Sequence, residues 1–519
     1  MLVQQRAYSR AVTRSWTTLL CTALSAMTAS AVPSPFQNTS VASAATTFWS
    51  GSTRALARSP LGNVAAVSCH NCYVDWNGNT ADVNLTNTLS KLHRAQADGA
   101  DMLELDVKYE SGVTYVTHSD DAATNVAKLS NVLDDAALKG GDQILVVEIK
   151  ETSFSPALVT DVLKTITDRG YARSGRPVLI KAFTGAPLEN LKNVRDQLNG
   201  GFASIKPYVK TAVLYPANAW SLPQFQQAAR DAFNAGFHAM DLNIQTPNLM
   251  GVVEYAKSIG LGVALWTFPP NTEPLIAAIR HNVDYISADI PIATVRSIVT
   301  GATQLSHVNV AQQNGSNGTV TVYESSGTPT TRPVNGGTNP GLATDATGSE
   351  GLSGQFLRFV ASSKLRMPLY DADNASGGGY VVSAVVNFDN LSLPDGATQV
   401  VVGKADSASF SLELADPSGS AAPVLRFGVF VNGAYRYATY PTAKLNLTKS
   451  YIVTGAYNGH GEVRMWIGNS SAGVTSGGSY TGGVALNNSP AIIGADPQGT
   501  TGAGYFFDGK IQQITIVKW

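Results

Sequence analysis

Met102-Leu103-Glu104-Leu105-Asp106-Val107 alternates apolar and acidic side chains. In an extended strand successive side chains point to opposite faces, so Glu104 and Asp106 share one face, with Leu103, Leu105 and Val107 on the other. Two like charges side by side in an apolar strand repel strongly unless protons or a cation compensate. Ile144-Leu145-Val146-Val147-Glu148-Ile149-Lys150 repeats the pattern and puts Glu148 and Lys150 on one face. If both strands line a parallel barrel, three carboxylates and one ammonium converge on its axis. Hard oxygen donors of this kind suit one divalent cation, Mg²⁺ or Ca²⁺.

The surrounding chain has the rhythm such a barrel needs. Between residues 58 and 305, short β-branched runs alternate with amphipathic helical stretches, which predicts parallel βα units. Nine strand candidates follow one another: 64–70, 102–107, 113–118, 144–150, 177–182, 212–215, 237–242, 263–267 and 283–288. Eight places exist, and the run 113–118 follows its predecessor so closely, through Ser111-Gly112, that it reads as a hairpin partner. The expectation is a (β/α)8 barrel with one irregular unit. His70 and His118 each close an apolar run, where barrel side chains reach the C-terminal mouth. Imidazole titrates near neutrality, so the pair supplies an acid and a base. Lys181 and Tyr215 end two further strands and are candidate phosphate or substrate contacts. Trp266 reads either as a headgroup-pocket wall or as packing.

A chain of 519 residues exceeds what one core organises, so two domains are expected. Residues 1–31 read as a secretory signal, with Arg6, Arg10 and Arg14 before an apolar run and Ala29-Ser30-Ala31 at the cleavage site. The expectation is a secreted, extracellular monomer with no transmembrane segment. After a leader over 32–57 and the barrel over 58–305, residues 306–350 turn to Gly, Ser, Thr, Asn and Pro and read as a linker with one short strand near 319–323. Residues 351–519 carry short alternating runs between Gly and Asn turns, which predicts an antiparallel β-sandwich. The fold class is therefore multidomain, an α/β barrel followed by an all-β jelly-roll sandwich. The net charge of -1 supplies no basic field for nucleic acid. Cys69 and Cys72, the cysteines left once Cys21 departs with the signal, are too few for a zinc site and read as either a local disulfide or two thiols.

His70 with Asn87-Thr88, Gly99-Ala100-Asp101, Glu104-Leu105-Asp106, His118 and Glu148-Ile149-Lys150 resembles glycerophosphodiester phosphodiesterases, members of the PLC-like TIM-barrel superfamily. Leu265-Trp266-Thr267 and Val283 through Pro291 look like that family's closing strands. The resemblance implies a metal-dependent phosphodiesterase acting on a phosphodiester or phospholipid substrate. Glu104, Asp106 and Glu148 would be metal ligands, His70 and His118 the acid and base, and Lys150 a phosphate contact. The family carries Arg after its first His, where this chain has Asn71. Ser68-Cys69-His70-Asn71-Cys72-Tyr73 is similar instead to calcium-dependent phosphoinositide phospholipases C, which implies Asn71 as a fourth ligand. Sphingomyelinase D-like phospholipases resemble the chain through Trp266 and Asp289. The three groups differ in the bond broken and in whether a cyclic phosphate forms. The sandwich, through its strand rhythm and Phe506-Phe507-Asp508-Gly509-Lys510-Ile511, resembles LamG and concanavalin-like jelly rolls. That implies a glycan or cell-surface ligand, and a rival function as a glycan-binding protein with an inactive barrel.

Overall fold

The computed structural model describes residues 48–518 apart from 74–83, 119–125, 218–219, 312, 314–318, 325–328, 334–340, 345–353, 370–377, 405–407, 420–421, 469, 476–481, 486, 488 and 499–501. The signal segment 1–31 lies outside the described residues. The first nine strands are β1 (Ala66–Cys69), β2 (Met102–Glu110), β3 (Val113–Val116), β4 (Ile144–Ile149), β5 (Val178–Phe183), β6 (Val209–Tyr215), β7 (Ala239–Asn243), β8 (Gly262–Phe268) and β9 (Tyr285–Ala288). Eight of them are parallel in the order β1-β9-β8-β7-β6-β5-β4-β2, and β1 pairs with β2 to close the barrel. The ninth, β3, is the hairpin partner, antiparallel to β2 with Val107 opposite Val116.

Nine helices connect the described strands: α1 (Leu85–Ala97), α2 (Leu129–Leu133), α3 (Ala136–Gly140), α4 (Pro156–Asp168), α5 (Ala186–Leu198), α6 (Leu222–Asn234), α7 (Leu249–Ser258), α8 (Glu273–Ile279) and α9 (Ile292–Gly301). Their starts are written in the sequence. The Asn84 side chain accepts from Asn87 N at α1, Ser155 caps α4 ahead of Pro156, and Ser221 with Gln224 forms a reciprocal capping box at α6.

Inward-facing Val64, Ala66, Met102, Ile144, Val146, Leu179, Ala212, Ala239, Ala264 and Tyr285 fill the lower barrel. Trp49 and Leu56 belong to the same cluster, and Trp49 Nε1 donates to the backbone oxygen of Asp284 at 3.0 Å. The described end of the leader is thus part of the barrel's floor. At Gly262 an added Cβ would meet the Phe48 ring at 2.5 Å, so glycine makes room for the plug.

The antiparallel part consists of two sheets of ten and six strands facing each other, with a small hairpin at 496–504. Residues 306–350 do not behave as a linker over their described length. Thr303–Asn309 pairs with the closing strand Gly509–Lys518, Thr319–Glu324 adds to it, Pro329–Pro333 follows, and Gly341–Thr344 pairs with Gln355–Phe359. Leu305, Val308, Val320 and Val322 enter the sandwich core, which is what draws this polar stretch into the sheet.

The strand Tyr380–Phe388 is buried along its whole length. Val382, Ala384, Val386 and Phe388 face the sandwich core, while Val381 and Val385 join the barrel's core beside α8, whose Leu275 to Ile279 are all buried. An apolar run without clean alternation is what a strand between two cores requires. Polar links flank this seam: Asn309 Nδ2 donates to Glu254 Oε1 at 2.9 Å and Ser450 Oγ to Asn248 Oδ1 at 3.1 Å. Among the described residues no helix is long and apolar enough to cross a membrane.

Asp101, just before β2, is fully buried and is the structural node of the lower rim. Its carboxylate accepts from Ala57 N and Val67 N at 3.0 Å each and pairs with Arg54 and Arg296. Removing one partner of such a buried network leaves uncompensated donors and charges and costs about 3–5 kcal/mol. Asp101→Ala should therefore lower the unfolding free energy by that amount, read as a lower denaturant midpoint with the slope of the transition unchanged.

Candidate active site

Alternation along the barrel strands decides which side chains meet. With Ala66, Met102 and Ile144 facing in, so do His70, Glu104, Asp106, Glu148 and Lys150 two, four or six positions on. The register sets Asp106 beside Glu148 and Glu148 beside Lys181. One ligand atom each from Glu104, Asp106 and Glu148 lies within 4.8 Å of the others, and all three residues are buried. The acidic cluster expected from two strands is present.

The cluster carries more negative charge than its cations balance. Lys181 Nζ lies 3.0 Å from Glu104 Oε2, 3.4 Å from Asp241 Oδ2 and 3.5 Å from Glu148 Oε2. Lys150 pairs with Glu148 and stands 3.5 Å from Asp106 Oδ2. Two ammonium groups thus face four buried carboxylates. Burial and then the charge of Glu148 push Asp106 up to about 7. Burial pushes Asp241 up to about 6 against the pull of Lys181. Burial would also raise Glu148, but the two lysines outweigh it and hold it below its ordinary value.

The same residues fit a divalent cation. Glu104 Oε1, Asp106 Oδ1 and the Asn71 side-chain oxygen are buried with no hydrogen-bond partner. A buried carboxylate oxygen left bare is costly unless something positive faces it. Their partner oxygens are occupied, Glu104 Oε2 by Lys181 and Asp106 Oδ2 by the Tyr73 hydroxyl at 2.8 Å. Three carboxylates that each bring an oxygen within 4.8 Å of the others are a donor set that Mg²⁺ or Ca²⁺ takes.

The two histidines differ. His70 Nδ1 sits 2.7 Å from Asp289 Oδ1. Burial alone would lower its pKa, but the bond to Asp289 and the charge of Glu104 outweigh that and hold it above the ordinary 6.5. His118 is more open, with Nε2 3.9 Å from Asp106 Oδ2. Burial, joined by the Lys150 ammonium, pushes it below 6.5. His70 therefore keeps its proton to higher pH than His118 does.

The remaining expected contacts fall differently. Lys181 is 1% exposed and held among three carboxylates, so it is part of the ion cluster and no free phosphate contact. Tyr215 is not in the pocket. Ala212 faces inward on β6, so Tyr215 three residues on faces outward, packs in the outer core and donates to Ala228 O of α6 at 3.3 Å. Half-buried Trp266 packs edge-on against Phe183 at 5.4 Å and donates from Nε1 to Asp241 O at 3.3 Å. With Lys150 Nζ 5.3 Å from the Phe183 ring centre, these three form one wall of the mouth. Cys69 and Cys72 are joined by a disulfide.

Sequence reading missed Asp241, and quoted Tyr73, Tyr285 and Asp289 within motifs without giving them a role. Asp241 was findable, being an acid two places beyond inward Ala239 in the apolar run Ala239–Asn243. Tyr285 donates to Asp241 Oδ2 at 3.1 Å.

No protein-family model matches the chain, and no curated protein does. Among solved structures, it is similar to a glycerophosphodiester phosphodiesterase from Parabacteroides distasonis at 18% identity and a TM-score of 0.35, over 46% of this chain and 98% of that one. It is similar to another from Thermotoga maritima at 16% identity and a TM-score of 0.32, over 44% and 96%. The binding domain of Paraclostridial Mosquitocidal Protein 1 matches at 13% identity and a TM-score of 0.28, over 42% and 49%. Likenesses this distant assign no residue of this chain a role.

The Asp289 contact can be isolated. Asp289→Asn should lower the pKa of His70, because the charge that raises it is gone, and a ¹H–¹⁵N NMR titration of the ring should record the fall.

Proposed function

We propose that the chain is an exported, metal-dependent phosphodiesterase acting on glycerophosphodiesters or phospholipid headgroups. The observation that carries this reading is the buried cluster of Glu104, Asp106 and Glu148, whose carboxylates come within 4.8 Å of one another, with bare oxygens on Glu104, Asp106 and Asn71 and two histidines of opposite pKa shift beside it. A divalent cation held by Glu104, Asp106, Glu148 and Asn71 would supply positive charge against a non-bridging phosphate oxygen.

The chain's own groups do the rest. Neutral His118 takes the proton from the attacking water as the new P–O bond forms. Protonated His70, its Nδ1 held by Asp289, delivers a proton through its other ring nitrogen to the leaving oxygen as the old P–O bond breaks. Lys150, at the mouth, faces the phosphate, and the wall of Phe183 and Trp266 borders the leaving or retained group. Fixed charges in a water-poor pocket act where charge develops and need no reorganisation.

Asn71 supports a second form of the same chemistry. Its bare oxygen matches the ligand expected of phosphoinositide phospholipases C, in which a neighbouring substrate hydroxyl attacks and a cyclic phosphate results. The rival reading, a glycan-binding protein with an inert barrel, leaves the cost of an uncompensated acidic cluster unexplained. A surface glycan as ligand of the sandwich is compatible with the phosphodiesterase reading.

The test is hydrolysis of a small phosphodiester panel followed by phosphorus NMR, which reports substrate and product together. His70→Ala and His118→Ala should each reduce kcat at least ~100-fold with unfolding midpoints retained, and EDTA should abolish turnover reversibly. With saturating cation, kcat/KM should rise as pH passes the value of His118, below 6.5, and fall as it passes that of His70, above 6.5. Near-normal turnover in chelated protein or in either variant would sink the proposal.

A further inference from the structure

The turn that carries His70 makes several contacts with the site. His70 meets Asp289, and Asn71 keeps a buried side-chain oxygen without a hydrogen-bond partner. The next residue, Cys72, accepts at Sγ from Glu104 N at 3.3 Å. Tyr73, 1% exposed, donates its hydroxyl to Asp106 Oδ2 at 2.8 Å. The Cys69–Cys72 disulfide closes the turn, with the two Cα atoms 5.3 Å apart and Asn71 between them in the left-handed region at φ 49°. Asparagine adopts that conformation more readily than most residues.

The consequence for Asp106 is directional. A carboxylate has two oxygens, and one that is anchored fixes where the other points. Tyr73 anchors Oδ2 and leaves Oδ1 bare, as Lys181 anchors Glu104 Oε2 and leaves Oε1 bare. Groups that hold the far side of a ligand tune affinity as the ligands themselves do.

We infer that Tyr73, locked in place by the Cys69–Cys72 disulfide, is a positioning residue that aims Asp106 at the cation. This rests on the cation reading above. The alternative is packing alone, since the Tyr73 ring also belongs to the barrel's outer core. Packing needs the ring and not the hydroxyl, so the two roles separate on Tyr73→Phe.

The experiment uses the full chain and Mn²⁺ as the probe, with affinity from calorimetry and the bound-ion spectrum from electron paramagnetic resonance. Wild type, Tyr73→Phe and the double variant Cys69→Ala/Cys72→Ala are compared, with unfolding midpoints in EDTA as the fold control. Positioning predicts a Mn²⁺ Kd weakened about 10–100-fold in Tyr73→Phe, an altered spectrum, and a similar loss in the cysteine variant. An unchanged Kd and spectrum in folded Tyr73→Phe overturns the inference while leaving the cation reading intact. Wild type that binds no Mn²⁺ overturns both. If Tyr73→Phe does not fold, the cysteine variant decides, and unchanged binding there overturns the role of the turn.

Discussion

The structure depends on a charge imbalance sealed inside a barrel. Glu104, Asp106, Glu148 and Asp241 are each at most 1% exposed, and the only ammonium groups against them among the described residues are Lys150 and Lys181. Burying charge is costly even when it is paired, and each unpaired carboxylate adds to that cost. Lys181 bridges three of the four and keeps the cluster from being pure repulsion. What remains must be met by protons, which is why Asp106 and Asp241 are pushed upward, or by an ion.

Asymmetry within each carboxylate turns this imbalance into a site. Anchors come from Lys181, Tyr73 and Tyr285, and the bare oxygens of Glu104, Asp106 and Asp241 face away from them. The histidines inherit opposite fields from the same cluster. His70 leans on Asp289 and is raised, whereas His118 is lowered by burial and then by the Lys150 ammonium. Two groups of one chemical type thus receive complementary proton preferences from their surroundings.

Legibility in the sequence followed side-chain periodicity. Glu104, Asp106 and Glu148 stood out because alternation puts them all on one face of apolar strands, where such charges are too costly to keep without a compensating ion. The same parity, applied from Ala212, places Tyr215 outside, and its strand-end position was the weaker guide. Tyr73 had no periodic signal, since its role is set by the disulfide-closed turn after β1. The stretch 303–309 escaped for a related reason. Its pairing with Gly509–Lys518 shifts register between Gln304 and Ser306, and a bulge breaks the alternation that would have marked a strand. Its neighbour alternates over Thr-Val-Thr-Val from 319 to 322, and a strand at 319–323 was visible.

The charge-loaded upper pocket is carried by stability supplied elsewhere. At the lower rim Asp101 gathers two backbone amides and two arginines, and Trp49 closes the floor on Asp284. On one flank α8 packs its buried Leu275–Ile279 face beside sandwich residues Val381, Val385 and Val517, in one continuous core. The strand following α8 is β9, which carries Ser287 toward Glu104 and leads directly to Asp289, the partner of His70. The strand 380–388 is buried on both faces because it serves both cores, and the helix it packs beside, α8, leads into β9.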